Sequence, residues 1–237
     1  MAQLGGAKVV VVGGASGVGF AVAAAARAAG AEVVIGSSQP ARIAAAAARL
    51  GAGAQGRVVD VRDEASVAAF FDATGGFDHL VFTAGDWGQM RGPTRDLDVE
   101  ASKARMEVRF WGAARVAKHA LRQIAAEGSI TLTSGMLAHR PMPGAPLTTA
   151  SAQSTEGLAI GLARDLAPIR VNAVCLGLIL SEQVQGLGES AIKAFTGNLP
   201  LPRAGTVEEA AEAYLYLMRA TYVTGQVVRV DGGGSLV

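Results

Sequence analysis

The chain has 237 residues, of which 50% are hydrophobic, 17% charged and 5% aromatic, so there is material for one large aliphatic core and no indication of disorder. Lys plus Arg number 21 and Asp plus Glu number 20, with no basic block, which argues against a nucleic acid or an anionic membrane as partner. We expect a single domain over residues 1–237 that binds a small molecule.

The first 60 residues predict a βαβ unit: the strand "AKVVVVGG", the Ala-rich helix "VGFAVAAAARAAG" and the strand "AEVVIGSS". The alternation continues with a helix over Pro40 to Leu50, a strand "GRVVDV", a helix from Glu64 to about Thr74 and a strand "DHLVFTAG". Because fully apolar strands alternate with helices, we predict a doubly wound α/β fold, with a parallel sheet covered on both faces.

A long helical stretch follows from about Glu100 to Ala126, and then come the strand "GSITLTS", a helix from about Thr148 to Ala167 and the strand "IRVNAVCLG". The last part predicts helices near Glu189 to Phe195 and over Val207 to Arg219, and a closing strand "GQVVRVDGG". We find no internal repeat.

The N-terminal apolar run is too short for a signal sequence or a membrane span, so we expect a cytoplasmic protein. The single cysteine, Cys175, rules out an intrachain disulfide. The three histidines are scattered without the spacing of metal ligands, and we predict no metal.

The turn "VVVVGGASGVGFA" places glycines between the first strand and the first helix. Glycines there allow positive φ angles and let the backbone approach a pyrophosphate at the helix N-terminus. Such turns also occur without a ligand, and the spacing here differs from G-x-G-x-x-G. The turn alone therefore leaves the two interpretations open.

Five segments, read in order, resemble the short-chain dehydrogenase/reductase family over about residues 8–233. They are "GGASGVG", "VVDVRD", "FTAG", "LAPIRVNAVCLGLILS" and "YVTGQVVRVDGG". The resemblance implies a seven-stranded Rossmann sheet in the order 3-2-1-4-5-6-7, a nicotinamide cofactor at the carboxyl ends of the strands, and a homo-tetramer or dimer. The cofactor-binding residues that it implies are Gly13, Ser16, Gly17, Val18, Gly19, Asp60, Val61, Ala84, Gly85, Gly177, Ile179 and Ser181.

The end of the second strand indicates which nicotinamide cofactor binds. An NAD site usually presents a carboxylate to the ribose 2′-hydroxyl there, but this chain has Ser37 and Ser38, with Arg42 nearby. Two hydroxyls and a guanidinium could accept a 2′-phosphate, so we favour NADP. If the serines only begin a turn and Arg42 is solvated, NAD remains possible.

The family's Asn-Ser-Tyr-Lys tetrad has no match in this chain. An ungapped comparison puts Thr148 at the Tyr position and Ala152 at the Lys position, and no Tyr-x-x-x-Lys exists anywhere in the sequence. Arg109 falls at the Asn position, and Gly135 falls at the Ser position with Ser134 just before it. The proton donor of the family is therefore missing.

Three residues are our candidates for the catalytic role. A Thr hydroxyl is too weak an acid to copy a tyrosine whose pKa is lowered, so Thr148 is at most a hydrogen-bond donor or a relay to water. Arg109 is always protonated and suits the stabilisation of a developing alkoxide or enolate, although a helix-face Arg in a surface ion pair is the ordinary alternative. Ser134 could bind a substrate oxygen.

Other polar and aromatic residues have structural alternatives of equal or greater weight. Asp86 could pair with Arg109, yet Asp is ordinary in a turn. His139 lies near the expected pocket mouth, but a solvated loop histidine is the simpler interpretation. Trp111, like Trp87, could line the pocket, but a Trp on a long helix is more often core. We interpret Glu156, two turns beyond Thr148, as structural or interfacial.

Three functions compete. The first is an NADP-dependent reductase of a small or medium carbonyl-type substrate, in which Arg109, water and Ser134 or Thr148 replace the Tyr-Lys pair; an iminium acceptor is a variant that Arg109 argues against unless Asp86 neutralises it. The second is a non-redox NADP-binding protein, either a sensor or a scaffold reused for cyclisation or isomerisation. The third, an interaction protein, would bind no nucleotide.

Overall fold

The computed structural model describes residues 4–85 and 92–237, except for the side chain of Gln183. Within these residues a seven-stranded sheet has the order β3-β2-β1-β4-β5-β6-β7, and its neighbouring strands pair in parallel. This order confirms the α/β fold and the topology that the resemblance implied. The strands are β1 (Lys8–Val12), β2 (Glu32–Ser37), β3 (Ala54–Val58), β4 (Phe77–Phe82), β5 (Ile124–Gly135), β6 (Arg170–Leu176) and β7 (Val227–Val230).

Helices follow the strands and cover both faces of the sheet. They are α1 (Gly17–Ala28), α2 (Pro40–Leu50), α3 (Glu64–Thr74), α4 (Val99–Met106), α5 (Gly112–Ala120), α6 (Pro146–Asp165), α7 (Glu182–Gln185), α8 (Glu189–Thr196) and α9 (Val207–Arg219). A π-helical turn, Glu107–Trp111, joins α4 to α5. No helix in the described part of the chain has both the length and the apolar character needed to cross a bilayer.

The core forms two layers because the central strands of the sheet bury both of their faces. Val9 and Val11 of β1 belong to a cluster with α1, α2 and α9, whereas Val10 and Val12 belong to a cluster with α3, α5 and α6. All four valines are at most 1% exposed. This double burial is why the strand sequence is continuously apolar and does not alternate with polar residues.

The predicted helix from Glu100 to Ala126 was too long. The structure ends α5 at Ala120 and begins β5 at Ile124, which pairs with Phe77 at the start of β4. A Cβ built on Gly128 would lie 2.4 Å from the carbonyl oxygen of Asp78, so this part of β5 is tightly apposed to its neighbour. Pairing with β4 overrides the local helix propensity of this segment.

Candidate active site

The glycine-rich turn after β1 packs tightly against the end of β4. Gly13 and Gly17 have positive φ angles of 96° and 52°. A Cβ on Gly13 would lie 2.5 Å from the backbone nitrogen of Ala84. A Cβ on Gly19 would lie 2.3 Å from the carbonyl oxygen of Gly13 and 2.4 Å from Thr83 Oγ1. Side chains at Gly13 and Gly19 would therefore clash with this turn or with the end of β4.

The N-terminus of α1 is suited to an anion. Ser16, the N-cap residue, makes no side-chain capping hydrogen bond, and the first turn of α1 has no acidic residue. By contrast, Asp63 and Thr206 cap α3 and α9 with their own side chains. Uncapped N–H groups and the positive end of the helix dipole fit a pyrophosphate, so the turn can hold the dinucleotide that the sequence predicted.

The segment after β6 lies opposite this turn. A Cβ on Gly17 would be 3.5 Å from Cβ of Ser181, and both residues line, with Ser16, a cleft of about 470 Å³ beside α1, α7 and α9. Ile179 is held by a bridge to Gly205. Cofactor candidates that are more than 160 residues apart in sequence thus meet in space.

The predicted adenine end lies at the ends of β2 and β3. Ser37 is the last residue of β2, and Ser38 and Arg42 are exposed beside it. Arg62, which the sequence analysis did not consider, binds the Asp60 carboxylate through Nε at 2.9 Å and Nη2 at 2.6 Å. The hydrogen bonds from Arg62 lower the pKa of Asp60. An adenine amine at Asp60 would have to share that carboxylate with Arg62.

Val61, the residue after Asp60, packs against the start of α5. A Cβ on Gly112 would lie 2.8 Å from Val61 Cγ2. The predicted adenine wall is therefore in contact with the first residue after the π-helical turn.

Arg109 lies in the π-helical turn and is only 8% exposed. A Cβ on Gly85, at the carboxyl end of β4, would be 3.0 Å from Arg109 Nε and 3.2 Å from Cζ, so the guanidinium lies directly against that glycine. Arg109 is therefore not a solvent-exposed residue of the helix face. Because π-turns insert an extra residue into a helix, they redirect side chains and are frequent at functional sites.

Thr148 lies on the buried face of α6, a helix that packs against the π-helical turn. Its residue exposure is 7%, and Ala152, one turn further along, is 2% exposed. Asp86 and Trp87 are outside the described residues. Trp111 is 51% exposed, so the interpretation of this tryptophan as a core residue was wrong. Its ring packs edge-on against that of Phe110, with 4.9 Å between the ring centroids.

A row of polar side chains crosses the carboxyl ends of three strands beneath α6. Ser134 of β5 is in register with Cys175 of β6, which is in register with Arg229 of β7. Residues paired in register on parallel strands point to the same face of the sheet. That face is covered by α6, which brings Glu156 over the row.

Glu156 is the centre of a hydrogen-bond network. Ser134 donates its hydroxyl to Glu156 Oε1 at 2.8 Å and also approaches the carbonyl oxygen of Ala152 at 3.1 Å. His139 Nε2 is 2.9 Å from Glu156 Oε2. Burial raises the pKa of the Cys175 thiol, and the Glu156 charge and its hydrogen bond with that thiol raise it further. His139 is exposed, as we expected for a loop histidine, and it is also hydrogen-bonded within this network.

The protonation of His139 can be inferred from its second partner. Arg229 Nη2 lies 3.1 Å from His139 Nδ1, and because a guanidinium only donates, Nδ1 must accept. The ring proton therefore belongs on Nε2 and points at Glu156.

Ligand-type atoms of His139, Glu156 and Cys175 lie within 4.8 Å of one another, a grouping that sequence spacing did not reveal. In this arrangement both ring nitrogens of His139 have protein partners, Nε2 with Glu156 and Nδ1 with Arg229. A site without metal stays our prediction.

Comparison with known proteins bears on the whole chain. A family model described as Enoyl-(Acyl carrier protein) reductase matches residues 13–235. The short-chain dehydrogenase/reductase ucsE from an Acremonium species is 36% identical, over 95% of this chain and 94% of its own length. This chain is a short-chain dehydrogenase/reductase. It therefore belongs to a family of NAD(P)-dependent oxidoreductases.

Two solved structures of this family are close to the present one. The MalC reductase/Diels-Alderase from Malbranchea aurantiaca superposes with a TM-score of 0.92 at 32% identity, covering 99% of this chain and 98% of that chain. A small-chain dehydrogenase solved in complex with NADPH has a TM-score of 0.84 at 32% identity, covering 98% of this chain and 99% of that chain.

In this short-chain dehydrogenase/reductase, the positions compared with the tetrad are located on three elements that pack together. Arg109 is on the π-helical turn, Gly135 ends β5, and Thr148 and Ala152 share one face of α6. Sequence reasoning located these positions but missed the network around Glu156. The available signal was the spacing of Thr148, Ala152 and Glu156, because residues four apart share a helix face.

Proposed function

We propose that this protein is an NADP(H)-dependent reductase of a small or medium carbonyl-type substrate, with Arg109 stabilising the charge that develops on the substrate oxygen. The observation that carries the proposal is the buried guanidinium of Arg109 against Gly85. A permanent positive charge held in a water-poor site is an effective electrostatic catalyst, because it needs no reorganisation during the reaction.

The cofactor, when bound, supplies the hydride. Arg109 orients the substrate carbonyl and stabilises the oxygen as negative charge develops, but it holds its proton too firmly to release it. Water then supplies the proton, with a hydroxyl of Thr148 or Ser134 assisting. In the structure the hydroxyl of Ser134 is hydrogen-bonded to Glu156 and also lies 3.1 Å from the carbonyl oxygen of Ala152.

The preference for NADP rests on the end of β2. Ser37 and Ser38 leave that end without a carboxylate, and the exposed Arg42 lies in the first turn of α2. A guanidinium and two hydroxyls suit a 2′-phosphate, whereas a carboxylate would repel it. The NADPH complex of the similar dehydrogenase supports this preference.

We propose that the enzyme works as a homo-dimer or homo-tetramer. Trp111, the last residue of the π-helical turn, is 51% exposed, and Ile160 on the outer side of α6 is 53% exposed. Exposed large apolar side chains on neighbouring helices are suited to a contact between subunits.

The test is turnover of NADPH, followed by absorbance, with panels of ketones, quinones, enones and cyclic imines. For any substrate that is reduced, Arg109→Ala should lower kcat/KM by roughly 100- to 1,000-fold, the usual effect of removing one oxyanion donor. Thr148→Ala should have a smaller effect.

Arg122→Ala is the matched control for Arg109→Ala, because it removes the same charge from an exposed position outside the proposed site. It should leave kcat/KM and NADPH affinity unchanged. Tight NADPH binding without turnover on any panel would overturn the reductase proposal, and so would full activity of Arg109→Ala.

A second candidate is a non-redox cyclisation. It is favoured by the similarity to MalC, whose description includes Diels-Alderase as well as reductase. A cyclisation needs no proton donor at the reacting atom, and Arg109 could polarise a carbonyl without any hydride transfer. Product formed without NADPH consumption would support this candidate over the first.

A further inference from the structure

We propose that Glu156 is a positioning residue of this site, which acts by fixing Ser134 and the backbone of Ala152 and not by exchanging a proton with the substrate. The inference rests on the proposed reductase function. It concerns the place where, by resemblance, the family's Ser and Lys side chains would stand and where this chain has Gly135 and Ala152.

Gly135 and Ala152 have no polar side chain of their own, so the polar contact between the end of β5 and α6 has to come from neighbouring residues. Ser134 does this by linking the end of β5 to α6: its Oγ lies 2.8 Å from Glu156 Oε1 and 3.1 Å from the carbonyl oxygen of Ala152. Ser134 is fully buried and Glu156 is 7% exposed. The link therefore operates away from bulk water, where a misplaced polar group costs most.

Glu156 is itself held from the opposite side. His139 comes from the loop after β5 and contacts the Glu156 carboxylate directly. Arg229 of β7 holds the other side of the His139 ring, so β7 is joined to this network through His139.

The donors around Glu156 argue against a role as proton source. Ser134, His139 and Cys175 all direct hydrogens at its carboxyl oxygens, so the surroundings of Glu156 are arranged to donate to it. Because Nδ1 of His139 is hydrogen-bonded to Arg229, the imidazole ring cannot pass a proton from solvent to Glu156. The fold thus presents Glu156 as an acceptor of fixed shape.

The test compares a variant that keeps the shape of the Glu156 side chain but not its charge with a variant that keeps neither. In Glu156→Gln the amide oxygen can accept from His139 while the amide nitrogen donates to Ser134, whose hydroxyl turns to Ala152. In Glu156→Ala the support is gone. For a substrate found with the panels above, Glu156→Ala should raise KM roughly 10- to 100-fold, as expected when a site is misplaced by a fraction of an ångström to an ångström. Glu156→Gln should recover most of this loss.

Two further readouts keep the proposal testable. NADPH affinity should change less than threefold in both variants, because the glycine-rich turn lies elsewhere. A threefold change in Kd corresponds to less than about 1 kcal/mol of binding free energy. Amide hydrogen exchange within residues 134–152 should accelerate in Glu156→Ala only. Exposed Glu127→Ala is the control for the loss of charge and should behave as the parent protein.

Equal damage from Glu156→Gln and Glu156→Ala, with loss of the same limb of the pH–rate profile, would make Glu156 a proton-exchanging group and overturn the proposal. Unchanged exchange and unchanged KM in Glu156→Ala would also overturn it. If the parent protein reduces no substrate, the reductase proposal fails, while hydrogen exchange still decides whether Glu156 holds residues 134–152.

Discussion

At the scale of single residues, Gly19 shows how packing can require glycine at a position with an ordinary backbone conformation. A Cβ there would lie 2.3 Å from the carbonyl oxygen of Gly13. We expect Gly19→Ala to lower the free energy of unfolding by about 1–3 kcal/mol, the usual cost of overpacking, and to abolish NADPH binding. Denaturant unfolding followed by circular dichroism and NADPH fluorescence measure the two effects.

Gly157→Ala is the matched control. Gly157 lies inside α6, and no atom comes within 4 Å of a Cβ built on it. Alanine is the better helix former, so this variant should have a free energy of unfolding about 0.5–1 kcal/mol higher than that of the parent protein. A similar loss of stability in both variants would show that the close contact at Gly19 does not decide its effect.

The residue scale also separates what the sequence could predict from what it could not. The glycines after β1 were recognisable because a turn that approaches a phosphate is local and its residues are contiguous. The burial of Arg109 depends on an extra residue in a helix, and the Glu156 network depends on three segments meeting. Neither leaves a short-range pattern, so both required the packed structure.

At the scale of elements, α9 is fixed at its start by a reciprocal capping box. Thr206 Oγ1 accepts from the backbone nitrogen of Glu209 at 3.2 Å, and Glu209 Oε2 accepts from that of Thr206 at 2.9 Å. Arg203 also binds Glu209 through both of its terminal nitrogens. Arg203, followed by the Thr206 backbone, lowers the pKa of Glu209 to about 2.

The stability of α9 should therefore depend on pH in a defined window. Because the folded-state pKa of Glu209 is below its ordinary value of 4.5, its contribution is present above about pH 4.5 and is lost as the pH falls towards about 2. Glu209→Gln keeps an acceptor for Thr206 but removes the charge. The difference in Tm between the parent protein and Glu209→Gln should shrink as the pH is lowered from 6 to 3.

Thr206→Ala provides the comparison for this pH experiment, since it removes a capping acceptor and leaves the Glu209 charge in place. Thr206→Ala should lower the free energy of unfolding by about 1 kcal/mol, as the loss of an N-cap side chain usually does. This decrease should be largely independent of pH. A Tm difference for Glu209→Gln that stays constant across the acid range would contradict the pKa argument.

Element boundaries were predicted well where the pattern is amphipathic and capped, and poorly where pairing decides. The helix over Val207 to Arg219 was predicted at its observed limits. The segment from Ile124 onwards has helix-forming residues but belongs to β5, because β4 offers a neighbouring edge for it to pair with. Whether this segment forms a helix or a strand depends on β4, which lies about 45 residues earlier in the chain, and local propensity does not reflect such a distant partner.

At the scale of the whole molecule, the strand order places the glycine-rich turn, Gly85 and the segment after β6 at one edge of the sheet. In open α/β sheets, ligands bind outside the carboxyl ends of the strands where the strand order reverses. Here β1 lies between β2 and β4: the chain continues from β1 to β2 and β3 on one side, and then crosses back to β4 on the other side. The topology therefore gathers cofactor candidates that are far apart in sequence, and their role in binding stays a prediction.

The cofactor preference can be tested on the whole molecule without a substrate, because a ligand that binds only the folded state raises its stability. At 100 times its Kd, NADPH should add about 2.7 kcal/mol, or roughly 5–10 °C in Tm for a chain of this length. NADH at the same concentration should raise Tm less, since Ser37, Ser38 and Arg42 offer the 2′-phosphate partners that NADH cannot use. Arg42→Ala should lower the NADPH shift and leave the NADH shift unchanged. Equal shifts for both nucleotides in the parent protein would show that the end of β2 does not select NADP.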